Sequence, residues 1–376
     1  MESIQSGNNS SFAIDLLWIR VGKNGGTESF IRTVLDGMCD TQREFKAVLL
    51  VSRDNRESFA HYGNDKRFII YECPVDSANV KARMIWQNLH LRDTIKSLGI
   101  DKCLEPVYSM PFIRTSGVDF YTVIHDLQAK HFPEYFSKLR CLWMDISWRN
   151  TVRKARKVIA ISDYVKNDIA STYKVKDNRI VMIHNPIATN TVTKERAIEI
   201  IKEYDLEDEQ FFFCVSSLLP HKNLQVLIRM MALRNDDTRL AIVGVGGALE
   251  EPFRKQISNM GLDKKISILP FVSNETRDAL YKTCKAFLFP STFEGFGMPP
   301  IEAMLVDKPV VTTRCTSIPE VTRGEAVYVD NPKDEKEWNE RVDGLSKNMD
   351  VKRTISSTNN PYEKKKIAEK YLDILM

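Results

Sequence analysis

Two successive series of strand-length apolar runs, each alternating with segments of helical periodicity, constrain this 376-residue chain more than any other feature. The first series comprises residues 12–19, 45–51, 68–70, 121–124 and 158–161, with helical patterns over 27–38 and 82–97. The second follows Asn185-Pro186 and comprises residues 211–215, 240–243, 266–269, 286–289, 310–312 and 326–329, with helical patterns at 223–233, 250–260, 274–281 and 301–306. Such alternation implies parallel sheets covered by helices. A chain of this length is more readily two domains than one, so the pattern predicts an α/β chain of two Rossmann-like domains. We place these at residues 1–190 and 191–358. Residues 347–360 read as a polar loop, and 359–376 as a final helix with Ile367, Tyr371 and Leu375 on one face.

Composition narrows the class. Apolar content of 43% and charged content of 28% are those of a soluble globular protein, and a net charge of +4 gives no ground for a nucleic-acid partner. The polar start lacks the basic-then-apolar order of a signal peptide, and no apolar run reaches the ~20 residues that span a bilayer. The seven scattered cysteines, an odd number mostly flanked by apolar residues, read as reduced core residues of a cytosolic protein. No His/Cys cluster has metal-ligand spacing, no Asp-x-Asp or P-loop pattern occurs, and the reading is of a protein without cofactor or metal.

The chemistry concentrates after the apolar run 286–289, in Ser291-Thr292-Phe293-Glu294-Gly295-Phe296-Gly297-Met298-Pro299-Pro300-Ile301-Glu302. Gly295 and Gly297 tolerate backbone angles other residues resist and let a ligand approach the main chain. The Pro-Pro step suits the first turn of a helix, and a helix start favours an anion such as a diphosphate. Glu302 pointed at that anion would repel it, so both carboxylates read as acceptors for neutral sugar hydroxyls. In Ser216-Ser217-Leu218-Leu219-Pro220-His221-Lys222, a lysine precedes a helix start, which a nearby anion would explain, with a solvated surface lysine as the alternative. Val243-Gly244-Val245-Gly246-Gly247 lacks the third spaced glycine and the ribose acid of a dinucleotide loop, and reads as a tight turn.

The segment 291–320 closely resembles the E-x7-E signature of the retaining GT-B glycosyltransferases of family 4. The resemblance implies two Rossmann-like domains facing a central cleft, with the last helix crossing back to the first domain. It implies that Glu294 contacts the donor sugar, Glu302 the ribose, Lys222 the diphosphate, and the main chain of Gly295, Phe296, Gly297 and Met298 the sugar and diphosphate. Phe271 and Val272 match the segment near the base. Gly25 and Gly26, in the loop after the first strand, match the glycine pair that approaches phosphates and acceptor. His125 matches a histidine near the sugar, where Asp126 could orient it; it is grouped with Glu294 and Lys222 as catalytic, with no general-base role. Ser162 and Asn185 match segments near the cleft, although helix capping accounts for Ser162 equally well. Many members carry arginine where this chain has Ser217; Arg20, Lys23 and His221 are the candidates to replace it.

His125-Asp126-Leu127-Gln128 with Phe132-Pro133-Glu134-Tyr135-Phe136 resembles bacterial surface-polysaccharide mannosyltransferases of the O-antigen type. That implies transfer of a hexose, mannose from GDP-mannose, to a hydroxyl of a lipid-linked or growing polysaccharide, with no metal. Two alternatives stand beside it: the same fold using a UDP- or dTDP-sugar, and a non-catalytic GT-B scaffold binding a partner transferase or glycan. Basic and aromatic residues interleaved over 138–157 suit either peripheral contact with the inner face of the cytoplasmic membrane or a solvated helix packed by its aromatic side.

Overall fold

The computed structural model describes residues 11–108, 110–347 and 354–376. The polar start at 1–10 and residues 348–353 of the expected loop lie outside the described residues. The chain divides into two compact units: one holds the chain up to Pro186 together with Tyr362–Met376, the other Ile187–Pro361.

In the first unit seven strands, β1 (Ser11–Asp15), β2 (Lys46–Val51), β3 (Phe68–Glu72), β4 (Lys102–Glu105), β5 (Asp119–Ile124), β6 (Lys157–Ala160) and β7 (Ile180–Met182), form one sheet in the order β3-β2-β1-β4-β5-β6-β7. Every pairing is parallel. Two of these strands, β4 and β7, go beyond the predicted runs: β4 sets Cys103 and Leu104 between charged Lys102 and Glu105, whereas β7 is wholly apolar but only three residues long. The first run, by contrast, is too long: β1 stops at Asp15, whose Oδ1 accepts from Leu17 N at 2.8 Å while the Trp18 indole donates to Asp15 O at 3.1 Å. Residues 16–19 are therefore a buried turn, pinned by the Asn55 amide, which donates to Leu16 O and Ile19 O. The expected helix over 82–97 is three consecutive pieces: Val80–Trp86, a π-turn at Gln87–Leu91, and Arg92–Ser97.

The final helix, Lys364–Leu375, belongs to this unit. Ile367, Tyr371 and Leu375 are buried on it, with Tyr371 6.1 Å from the Phe30 ring of helix Gly26–Asp40. Gly37 makes this approach feasible: a Cβ there would lie 2.2 Å from Lys364 O. Lys364 pairs with Asp40 at 3.0 Å, and Arg43 with Asp373.

The second unit carries β8 (Phe211–Val215), β9 (Arg239–Val243), β10 (Ile266–Ile268), β11 (Ala286–Phe289), β12 (Val310–Thr313) and β13 (Val327–Val329), all parallel in the order β10-β9-β8-β11-β12-β13. All six match apolar runs, because these strands are sandwiched between helices and carry few polar residues. Phe212, Leu227, Leu240, Leu288 and Trp338 lie in its core. Truncating one such side chain to alanine typically costs about 2–5 kcal/mol. Chain order reverses between β1 and β4 in one sheet and between β8 and β11 in the other. Ligands of open α/β sheets bind beyond the carboxyl ends of strands at such switch points.

Candidate functional site

Strands β8 and β11 end side by side, and each hands the chain to a turn. After β8, Ser216–Leu219 lead into a 3-10 turn, Pro220–Lys222, and the helix Leu224–Leu233. After β11, residues 290–296 lead to Gly297 and the helix Met298–Met304. The two turns are laced together. Thr292 N donates to His221 O at 2.7 Å, and Asn223, held at φ +54°, donates through Nδ2 to Pro290 O and Pro332 O. At the centre, Lys222 Nζ donates to Glu294 Oε1 at 2.6 Å, with both side chains largely sheltered, 21% and 14% exposed. A charged hydrogen bond this short and partly desolvated is strong.

Neighbouring turns fix the carboxylate's backbone. Glu294 N donates to Thr316 Oγ1 at 3.0 Å, and the Ser317 hydroxyl reaches Glu294 O at 3.0 Å and Phe296 O at 2.9 Å. Thr316 sits at φ +54°, a conformation unfavourable for a β-branched residue. Gly297, at φ +89°, starts the helix. That helix begins at Met298, one residue before the expected Pro-Pro step. Pro299 and Pro300 therefore occupy its second and third positions and remove two first-turn amides. Any main-chain contact with an anion at this end falls to the turn that includes Gly297 and Met298, not to the helix interior.

Glu302 lies on the same helix, half-buried. Its electrostatic neighbours are Arg277 and Tyr281 of helix Asn274–Thr283. Burial works against the Arg277 guanidinium, yet the Glu302 charge keeps its pKa above the usual value; burial and then Glu302 push the Tyr281 phenol well up. Ser217 shares the β8 turn with Lys222. Gly244, at the end of β9, packs against that turn so closely that a Cβ would lie 2.8 Å from Ser216 O, which accounts for the glycine sterically. Phe271 and Val272 follow β10; Phe271 is 97% exposed and Val272 is buried.

His221 carries no charge to offer in place of the arginine absent at Ser217 while the site holds no anion. Burial, followed by the adjacent Lys222, lowers its pKa to about 4, so the ring is neutral near pH 7.

The remaining sequence candidates belong to the first unit. Gly25, at φ +55°, caps the helix Gly26–Asp40, and a Cβ on Gly25 or Gly26 would meet nothing within 4 Å. His125 follows β5, with Nε2 2.9 Å from Pro106 O and its ring edge-on to Phe30 at 4.9 Å. Bonding to a carbonyl requires the proton on Nε2, which leaves Nδ1 an acceptor. Burial lowers this histidine to about 4 as well. The ring is thus oriented by Pro106, whereas Asp126 accepts from Gln128 N at 2.9 Å. Ser162 caps the helix Asp163–Tyr173, accepting from Val165 N at 3.1 Å. Asn185 is buried, and its Oδ1 has no hydrogen-bond partner among the described residues.

Thr316, Ser317, Asn223 and Arg277 escaped the sequence reading. Thr316 and Ser317 stand within the same segment as Glu294, as polar residues directly after a strand, but nothing in their spacing shows which way the chain turns.

Comparison with known proteins places each half of the chain. Residues 24–191 match the model of Glycosyltransferase Family 4, and residues 196–360 that of Glycosyl transferases group 1. The O-antigen chain mannosyltransferase RfbU of Salmonella typhimurium is 28% identical over 253 residues, 67% of this chain and 66% of that one. The O-antigen chain mannosyltransferase B of Escherichia coli is 27% identical over 219 residues, 57% of each. The matches thus span less than two thirds of these relatives' lengths. The crystal structure of HepE of Anabaena in complex with UDP and glucose superimposes with a TM-score of 0.72 at 17% identity, covering 97% of this chain and 99% of that one.

Proposed function

The chain belongs to the family 4 and group 1 glycosyltransferases of GT-B architecture, and from that premise we propose that it transfers mannose from GDP-mannose to a hydroxyl of a lipid-linked or growing surface polysaccharide, with retention of configuration. The observation that carries the reading is the Lys222–Glu294 pair at 2.6 Å, at the switch point of the second unit's sheet. A cation for a leaving diphosphate and a carboxylate for a sugar are adjacent there.

In this reading the acceptor oxygen forms its bond to the anomeric carbon on the face from which the diphosphate departs. The anomeric C–O bond breaks as it forms, and the leaving phosphate oxygen takes the hydroxyl proton. No protein nucleophile and no metal are invoked. Lys222 balances charge that grows on the diphosphate, a role best served by a group fixed before the reaction. Glu294 accepts from hydroxyls of the transferred sugar and Glu302 from those of the ribose. Neutral His125 offers Nδ1 to a sugar hydroxyl, which suits hydrogen bonding and not proton transfer near pH 7. The names of the O-antigen relatives support mannose as the sugar.

The test is product mass spectrometry after incubation of the full chain with a panel of nucleotide sugars and a lipid-linked glycan extract. A hexose-extended product from GDP-mannose is expected. Extension from UDP- or dTDP-sugars alone overturns the donor, and neither extension nor donor hydrolysis with any nucleotide sugar overturns the enzyme.

A further inference from the structure

The helix Lys138–Lys154 is apolar on two sides. One stripe, which includes Met144, Trp148 and Val152, is buried. The other, Leu139, Leu142, Trp143 and Ile146, recurs at three- and four-residue spacing and lies in solvent, with Leu139 80% and Leu142 56% exposed. A surface helix normally turns a single such stripe inward. A second, outward one marks an interaction surface.

The stripe continues onto neighbouring segments. The Phe112 ring lies 5.1 Å from Trp143, and Asn150 Nδ2 donates to Pro111 O at 3.1 Å. On its other side the same loop is tied to Asn88, whose Oδ1 accepts from Phe112 N at 2.7 Å and Ile113 N at 3.3 Å. Exposed Ile113 thus adjoins the segment where exposed Ile85 and Leu89 stand four apart, flanking Asn88. Seven of the fifteen large apolar side chains exposed among the described residues fall on these three connected segments.

Charge identifies the occupant. Lys138, Arg140, Arg149, Arg153 and Lys154 flank the stripe against one acid, Asp145. That acid is already engaged by Lys130 at 2.6 Å and Arg149 at 2.9 Å. We propose that this face docks on an anionic phospholipid bilayer, with the apolar stripe at headgroup depth and the basic side chains on lipid phosphates. A second copy of the same face would bring like charge against it. Among the described residues no helix is long and apolar enough to cross a membrane. The inference needs neither donor nor acceptor and is independent of the transfer reading.

Flotation of the full chain with phosphatidylcholine vesicles, with and without phosphatidylglycerol and with no nucleotide sugar, tests it. Binding is expected only to the anionic vesicles and is weakened by salt. Leu142→Glu combined with Ile146→Glu abolishes it with unchanged far-UV circular dichroism, and Lys138→Gln or Arg153→Gln each weakens it about fivefold. Absence of flotation at low salt overturns the proposal, as does flotation that survives the double substitution. A stable dimer that the double substitution converts to monomer, without vesicle binding by either form, makes the face a protein interface and overturns it too.

Discussion

Lys222 Nζ and Glu294 Oε1 lie 2.6 Å apart, so the cation assigned to the diphosphate and the carboxylate assigned to the sugar form one ion pair before a donor arrives. In the proposed site, a bound diphosphate would compete with Glu294 for Lys222. Ion pairs of this kind position both members at the cost of partial desolvation.

On the proposed roles, the pair is expected to act as a unit. Lys222→Ala and Glu294→Ala are each expected to lower transfer by about 10²–10³-fold, the usual effect of removing a fixed electrostatic group. The double variant should lose far less than the product of the two, because each single change already breaks the pair. Steady-state kinetics with circular dichroism as a folding control checks this; full multiplicativity would show that the residues act independently.

Thr316 trades backbone comfort for a hydroxyl on Glu294 N. Thr316→Gly relieves a left-handed conformation worth about 1–2 kcal/mol while adding a comparable unfolded-state entropy loss. Thermal stability should therefore move little, and transfer should fall. Thr316→Ser keeps the hydroxyl and should retain activity. Equal loss in both variants would mean that side-chain shape, not the hydroxyl, matters.

Acid should weaken the fold through His125 and His221. Both folded-state values sit near 4, below the ordinary 6.5, so the unfolded chain binds more protons between those limits. Stability is expected to fall as pH drops from about 6.5 toward 4, by on the order of 1–3 kcal/mol per histidine. Melting temperature followed against pH reads this directly. In His221→Gln the slope should flatten, and an unaltered slope would remove His221 from the account.

Gly37→Ala places a methyl where Lys364 O now lies, 2.2 Å from the new Cβ. The final helix must shift, at about 1–3 kcal/mol for overpacking of this kind. Urea unfolding should show the loss. A wild-type midpoint would mean that the Lys364 backbone yields freely.

A divalent-cation chelator should leave transfer unchanged, since Lys222 and turn amides are proposed to meet the diphosphate charge. Recovery of a chelator-silenced enzyme by Mg²⁺ or Mn²⁺ would overturn that assignment.

Much of this was legible beforehand. The six strands of the second unit are near-continuous apolar runs, because a strand buried on both faces has little choice of residue. Glu294, Lys222 and the glycine turn stood out because strand, turn and helix start recur there in order. Strand β4 did not stand out, being short and charged at both ends, and β7, though apolar, is only three residues long. The premature end of β1 did not either, since it depends on where the Asp15 carboxylate and Trp18 indole find partners.

The sequence by itself determined the alternation of strand and helix, the two sheets, and the residue types available for a phosphorylated sugar, all of which follow from local periodicity and composition. Only the tertiary structure decided that Lys222 bonds Glu294, that Thr316 and Ser317 hold that turn, that Glu302 stands with Arg277 and Tyr281, and that His125 carries its proton on Nε2. Each of these joins residues on different turns or helices. Such contacts depend on which strands become neighbours and on directional hydrogen bonds across the carboxyl edge of a sheet, neither of which leaves a period in the sequence.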